Sequence, residues 1–189
     1  MAFTYGHLYK SDKATELGID NFPGVDIEKN STLTADYINN NLKLLYQNII
    51  SPIIDTFGES NLYISSAYRC DELNKALGAS STSQPVYGLA ADLALTTHNS
   101  RDLFNWCIEN LTNEWSQLIW EYPEKGDYYP GASTFSWVHV SWADGWNKKT
   151  LSVATNIESI HQRYLQEGFG NRVGKFTHDI PRAYIDIEY

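Results

Sequence analysis

The chain has 189 residues, of which 42% are hydrophobic, and a formal net charge of −9 at pH 7. This length allows one well-cored domain and leaves little for a second. With 23 acidic against 14 basic residues, the composition argues against sequence-independent binding to nucleic acid, which needs a basic face.

The sequence predicts neither a signal peptide nor a membrane span. Its N-terminus lacks the basic-then-apolar order of a signal peptide, and no apolar run approaches the roughly 18 residues of a membrane span. We therefore expect synthesis in the cytoplasm without a signal peptide, and no membrane partner. The two cysteines, Cys70 and Cys107, are too few for a disulfide framework and are expected to be reduced, partly buried thiols.

Two helices are predicted in the first 60 residues. The first covers about residues 10–17, and the second begins near Ser31 and reaches Pro52, which either kinks it or starts a continuation. Polar caps and glycines give their start and stop signals: Ser11 and Gly18 for the first helix, Thr34 or Asp36 and then Gly58 for the second.

Four short apolar stretches in the middle of the chain predict strands, with two helices among them. The strands cover residues 62–66, 89–95, 117–122 and 135–142. One helix covers residues 70–77 and stops at Gly78, and the other follows a cap at Asn99 or Ser100. The connection over residues 123–134 is predicted to be exposed.

The end of the chain is less regular. Beyond Gly145 the sequence predicts a turn and then a helix over residues 156–166. Residues 184–189 alternate apolar and acidic side chains, which fits either an added strand or an arm that binds a partner.

A series of short motifs then shares its order and spacing with a known family. The series is Ser66-Ala67-Tyr68-Arg69, Leu73-Asn74, Gly78-Ala79-Ser80, Ser83-Gln84, Gly88, Ala90, Asp92 and Trp137-Val138-His139-Val140-Ser141, preceded by Leu17-Gly18-Ile19-Asp20-Asn21 and Ile53-Ile54-Asp55-Thr56-Phe57-Gly58. With these motifs the chain resembles the D-Ala-D-Ala carboxypeptidase family of zinc peptidases, in its small phage and prophage form. The resemblance covers roughly residues 3–151.

The resemblance implies an α+β fold, in which a small antiparallel sheet with helices packed on it forms a single domain. On this basis residues 1–155 are the carboxypeptidase-like domain. Residues 156–189 are a C-terminal helix and extension, which would include the partner-binding arm.

One position departs from the family, and it concerns the metal. The family's zinc sits on a histidine, an aspartate, a second histidine and a water. Asp92 and His139 hold the second and third of these positions, but Pro85 stands at the first. Proline offers a metal no side-chain lone pair, and a catalytic zinc usually keeps three protein ligands. The two remaining positions should therefore hold zinc weakly, and no cofactor is expected unless another residue rescues the site.

Two interpretations of Asp92 and His139 follow. They are either a hydrogen-bonded polar pair left in a former metal pocket, or two zinc ligands that a substitute third ligand completes. The candidates for a substitute are His98, Tyr87, Gln84, His7, His161 and His178.

The resemblance also gives candidate roles to residues around the metal position. Arg69 matches an arginine that holds the substrate's carboxylate, a task that suits the planar guanidinium, although an ion pair with Asp71 or Glu72 is an equal alternative. Ser83 matches a serine that lines the same cleft, or is simply a loop hydroxyl. Glu121 is the candidate general base, or else part of a salt bridge at a strand end. Aromatic side chains near the expected groove stack on a ligand or only pack, namely Trp137, Trp142, Tyr68 and Tyr87.

Three functions remain open. The first is a degenerate, non-catalytic peptidase-like domain that serves as a phage binding or structural protein. The second is an active zinc-dependent peptidoglycan peptidase, either a carboxypeptidase or an endolysin. The third is a virion component, or a protein that blocks a host factor, in which the C-terminal arm does the work. The expected partner is a peptidoglycan peptide or a phage or host protein, either in the virion or after release at lysis.

Overall fold

A computed structural model describes residues 3–24, 34–111, 115–142, 150–155 and 183–184. The predicted α+β class, a small antiparallel sheet with helices in a single domain, is confirmed. No helix within the described ranges is both long enough and apolar enough to cross a membrane. The predicted helix over residues 156–166 lies outside the described residues, as do Ser31 and all of the 184–189 segment except Tyr184.

Apart from the short helix Gly6–Tyr9, which was not predicted, the helices follow the predicted pattern. The α-helices are α1 (Gly6–Tyr9), α2 (Asp12–Leu17), α3 (Ala35–Leu45), α4 (Ser51–Phe57), α5 (Asp71–Ala76) and α6 (Ser100–Asn110). Short 3₁₀ turns cover Glu59–Asn61, Gln84–Tyr87 and Pro123–Lys125.

Local signals explain where these helices begin and end. The hydroxyls of Ser11 and Thr34 accept from backbone N–H groups in the first turns of α2 and α3, so Thr34 rather than Asp36 is the cap. Pro52 lies near the start of α4 and follows a π-helical turn, Tyr46–Ile50, because proline cannot donate the next helical hydrogen bond. The helix therefore continues past Pro52 to Gly58, which is one of the two predicted outcomes.

The sheet contains β1 (Leu62–Ser66), β2 (Ala90–Leu95), β4 (Trp137–Ser141), β3 (Gln117–Glu121), β5 (Thr150–Thr155) and β6 (Ala183–Tyr184), in that strand order. The first four of these strands are the predicted antiparallel set. Strand β5 lies parallel to β3, with Gln117 opposite Thr150 and Glu121 opposite Ala154, and β6 is antiparallel to β5.

Strand β5 was not predicted, and the sequence-based expectation of turn and then helix beyond Gly145 is wrong for residues 150–155. A signal was available, since Leu-Ser-Val-Ala-Thr places β-prone residues at alternate positions. The stretch is too short to be distinguished from a turn by periodicity alone, because its pairing depends on where β3 lies.

Contacts divide the chain into two compact units. The first unit comprises residues 1–92 and 141–143, and the second comprises residues 93–140 and 144–189. Fully buried aliphatic side chains form the core of the first unit: Leu8, Ile38, Leu42, Leu45, Ile49, Ile50, Ile53 and Leu73. The core of the second unit includes Leu93, Leu95, Leu103, Phe104, Leu118, Val138 and Val140.

Both cysteines are free thiols, as predicted, and they are more deeply buried than expected. Cys70 is 1% exposed just before α5, and Cys107 is 0% exposed within α6. Burial disfavours the thiolate and raises the pKa of Cys107 far above its ordinary value.

Candidate functional site

Arg69 and Asp92 lie together in the first unit. Arg69 follows β1, Asp92 is on β2, and the distance from Arg69 Nη2 to Asp92 Oδ2 is 3.9 Å. At this distance the two groups form an ion pair but no hydrogen bond. Both side chains are largely buried, at 16% and 14% exposure, and Arg69 Nε is buried without a hydrogen-bond partner among the described residues. The guanidinium therefore has donor capacity that the carboxylate does not use.

Asn21 fixes the backbone that carries Arg69. Its amide Nδ2 donates to the carbonyl oxygen of Tyr9 at 2.7 Å and to that of Tyr68 at 2.9 Å, while its Oδ1 accepts from the N–H of Cys70 at 2.8 Å. The residues on both sides of Arg69 are thus bound by one buried side chain. This role was not predicted, because it joins positions 47 and 49 residues apart in the sequence.

Pro85 lies in the 3₁₀ turn Gln84–Tyr87 and is buried. Its carbonyl oxygen accepts from the N–H of Arg69 at 3.2 Å and from the N–H of Gly88 at 3.1 Å. A carbonyl oxygen has two lone pairs, and both have a donor here. Pro85 therefore offers a cation neither a side-chain donor nor an uncommitted backbone oxygen.

This turn is held against α3. Gly88 has φ +70°, and a Cβ added there would lie 3.0 Å from the carbonyl oxygen of Ile38, so only glycine fits without strain. The Asn41 side chain donates to the carbonyl oxygen of Tyr87 at 2.8 Å. These contacts fix the position of the residues between Ser83 and Gly88.

Ser83 and Gln84 flank the turn on its N-terminal side. Ser83 is half-buried, and its carbonyl oxygen accepts from the N–H of Val86 at 3.0 Å. Gln84 is 8% exposed, and its side-chain oxygen Oε1 has no hydrogen-bond partner among the described residues.

Glu121 and His139 lie in the second unit. Glu121 is the last residue of β3 and His139 is at the middle of β4, and each is 8% exposed. The Ser136 hydroxyl donates to the carbonyl oxygen of Glu121 at 2.9 Å. The indole N–H of Trp120 lies 2.9 Å from the Ser136 oxygen and 3.0 Å from the Ser100 oxygen. A buried hydrogen-bond network thus fixes the backbone of Glu121. This network was not predicted, because its members are far apart in the chain.

The structure describes two of the four histidines that were candidates for a substitute zinc ligand. His7 is exposed and its Nδ1 lies 3.0 Å from the N–H of Thr4; His98 is also exposed, with its Nδ1 2.9 Å from the Thr97 hydroxyl. His161 and His178 lie outside the described residues. Within the part of the chain that is described, no three His, Cys, Asp or Glu side chains are grouped so that they could hold a metal ion.

The four aromatic side chains expected near a groove are placed differently from one another. Tyr68 is buried at 4% exposure, whereas Trp137, Tyr87 and Trp142 are half-buried. The ring of Trp137 packs against the ring of Tyr122, with 5.0 Å between their centroids. The backbone N–H of Trp142 donates to the carbonyl oxygen of Leu89 at 2.8 Å.

Comparison with known proteins places the chain in a family. The family model described as Peptidase M15 matches residues 1–121 of the 189, which is more than half of the chain. The matched stretch contains Arg69, Ser83, Pro85, Asp92 and Glu121 and ends before His139. A search of curated proteins gave no match. The chain belongs to the Peptidase M15 family, whose members are zinc peptidases.

Proposed function

We propose that this protein is a degenerate zinc-peptidase-like domain that binds the carboxylate of a peptide and does not hydrolyse it. The observation that carries the proposal is Pro85. At the position that the resemblance assigns to the family's first metal ligand, this chain has a buried residue without a side-chain donor, whose carbonyl oxygen already accepts two hydrogen bonds.

The residues present do not fit a catalytic zinc. Asp92 and His139 would supply two ligands, whereas a catalytic site normally has three and keeps a fourth position open. Without the metal there is no low-pKa water for Glu121 to assist as a general base. We therefore derive no hydrolytic step for this chain.

Arg69 supports a binding role that does not need a metal. The Asn21 side chain holds the backbone on both sides of Arg69, and the guanidinium is paired only loosely with Asp92, at 3.9 Å. Its Nε has no partner among the described residues, and a guanidinium can bind a carboxylate with two parallel hydrogen bonds. Ser83, at the start of the adjacent turn, is the proposed second contact to the same ligand.

We extend the proposal to the biological setting that the resemblance suggests. The ligand is a peptidoglycan peptide or a phage or host protein, and the domain acts in a virion or after release at lysis. The C-terminal extension is proposed as a partner-binding arm, which size-exclusion chromatography can test. Removal of the residues after Asn171 should abolish assembly or partner binding, and an unchanged elution profile would count against the arm.

Zinc content tests the central claim. After equilibration with zinc at neutral pH and desalting, the wild-type chain should retain well under one zinc per chain. Pro85→His should raise the zinc content, because it restores an imidazole at the missing position. Pro85→Ala is the matched control, since it also removes the proline but adds no donor, and it should leave the zinc content low.

Two results would overturn the proposal. One is a wild-type protein that holds close to one zinc per chain and cleaves a peptide ending in D-Ala-D-Ala, which would establish the active-peptidase alternative. The other concerns Arg69→Lys, which keeps the charge and loses the two-pronged geometry. This variant should bind the same peptide about tenfold more weakly by calorimetry, since one charge-assisted hydrogen bond contributes roughly 1.5 kcal/mol or more. Equal binding by Arg69→Lys and the wild type would contradict the carboxylate role.

A further inference from the structure

A lysine covers two aromatic rings next to the end of β3. The ammonium nitrogen of Lys125 lies 3.7 Å from the centroid of the Tyr122 ring and 5.5 Å from that of Trp137. The two rings are 5.0 Å apart and tilted by 49°. Both distances from the lysine are within the range of a cation–π interaction, so both rings contribute to binding one positive charge. We call Tyr122 and Trp137 the aromatic pair.

The rings of the aromatic pair are held by their neighbours. Trp137 contacts Phe135 edge-to-face at 6.0 Å, and Phe135 contacts Tyr128 at 5.0 Å. Tyr122 has φ +52°, the only positive φ of a non-glycine residue among those described. The backbone of a non-glycine residue in this left-handed region is strained, and such strain persists only where the surrounding structure fixes the residue.

The segment that follows Lys125 is also fixed. The N–H of Ser136 donates to the carbonyl oxygen of Gly126 at 2.6 Å, and the carboxylate of Asp127 accepts from the N–H of Ser100 at 2.9 Å. Lys125 itself is exposed. Its side chain can therefore leave the rings without any rearrangement of the backbone.

The indole of Trp137 carries a buried N–H group. Its Nε1 is buried and has no hydrogen-bond partner among the described residues. Because this N–H belongs to the indole ring, its ¹H–¹⁵N signal reports on the environment of that ring.

The aromatic pair lies beside the positions that the family uses. Trp137 and His139 are two residues apart on β4, so their side chains share one face of the strand, about 7 Å apart along it. Tyr122 directly follows Glu121. A ligand near His139 could thus place a side chain over these rings.

We propose that the aromatic pair is a binding subsite for the ammonium group of a peptide ligand, and that Lys125 occupies it when no ligand is bound. The lysine acts as an internal competitor. Because it is exposed, its attraction to the rings is weak enough for an external ammonium group to displace it. This subsite is independent of whether the domain binds zinc or cleaves a peptide.

Titration with tetramethylammonium, followed by the ¹H–¹⁵N signal of the Trp137 indole, tests the proposal on the full-length protein. The signal should shift with tetramethylammonium and not with tert-butanol, its neutral analogue of similar shape. Lys125→Ala should bind about two- to fivefold more tightly than the wild type, since an exposed cation–π contact has this magnitude. Lys75→Ala, which removes an exposed lysine of α5, is the matched control and should leave the affinity unchanged.

The possible outcomes separate the subsite from simple packing. No shift in any variant, an equal response to tert-butanol, or equal affinity of Lys125→Ala and the wild type would each overturn the proposal. Tyr122→Leu added to Lys125→Ala keeps an apolar side chain and removes the ring, so it should cancel the gain in affinity. Lys125→Gln gives the same test with a longer side chain if the alanine variant does not fold.

Discussion

Replacement of Asn21 by alanine should destabilise the protein strongly and loosen the segment that carries Arg69. Asn21 is 7% exposed, and its amide satisfies the carbonyl oxygens of Tyr9 and Tyr68 and the N–H of Cys70. Alanine leaves these three groups without that partner. At roughly 1 kcal/mol for each lost hydrogen bond, the free energy of unfolding should fall by about 3 kcal/mol. For a chain of this length, this corresponds to a decrease in Tm of about 6–12 °C.

Urea unfolding at 25 °C, monitored by circular dichroism, measures this change. Asn110→Ala is the matched control, because the Asn110 amide is exposed and makes a single hydrogen bond, to the carbonyl oxygen of Trp106 at 2.9 Å. This control should change stability by less than about 0.5 kcal/mol. The reasoning is refuted if Asn21→Ala costs no more than Asn110→Ala. Asn21→Asp should also destabilise, because it keeps the acceptor for Cys70 but turns a carboxylate towards two carbonyl oxygens.

Three further predictions concern other parts of the chain. Gly88→Ala should lower the free energy of unfolding in urea by about 2–4 kcal/mol, because the added Cβ would lie 3.0 Å from a helix carbonyl oxygen and the backbone has a left-handed φ of +70°. Gly78→Ala, with φ +66° and no atom within 4 Å of the added Cβ, should lower it by only about 1–2 kcal/mol, and equal decreases would show that the clash at Gly88 is relieved. Burial raises the pKa of the Cys107 thiol well above its usual range, so this thiol should resist iodoacetamide at pH 8 in the folded protein and react after unfolding. Mass spectrometry measures the labelling, and rapid labelling of the native state would contradict the burial of Cys107. Ser136→Ala should lower the free energy of unfolding by about 1–3 kcal/mol, because the buried indole N–H of Trp120 and the carbonyl oxygen of Glu121 both lose a hydrogen-bond partner. A variant as stable as the wild type would mean that water replaces the hydroxyl.

Most of the local structure could be predicted from signals within the sequence. Caps such as Ser11 and Asn99 and stops such as Gly18 act on the adjacent turn of helix, so they can be recognised without knowing the fold. That Pro85 has no side-chain donor for a metal is likewise a property of proline itself, whereas its place in a former metal site stays a prediction. The family motifs add the α+β fold, because they share their order and spacing with its members.

Which distant residues meet depends on the tertiary fold. Asn21 binds backbone groups 47 and 49 residues away, Ser100 contacts Asp127, and the acid found within 4 Å of Arg69 is Asp92 rather than its near neighbours Asp71 or Glu72. The unpredicted pairing of β5 with β3 is another contact between residues far apart in the sequence. The physical reason is range: helix caps and turns depend on residues within about four positions, whereas these contacts depend on the path of the whole chain between their partners.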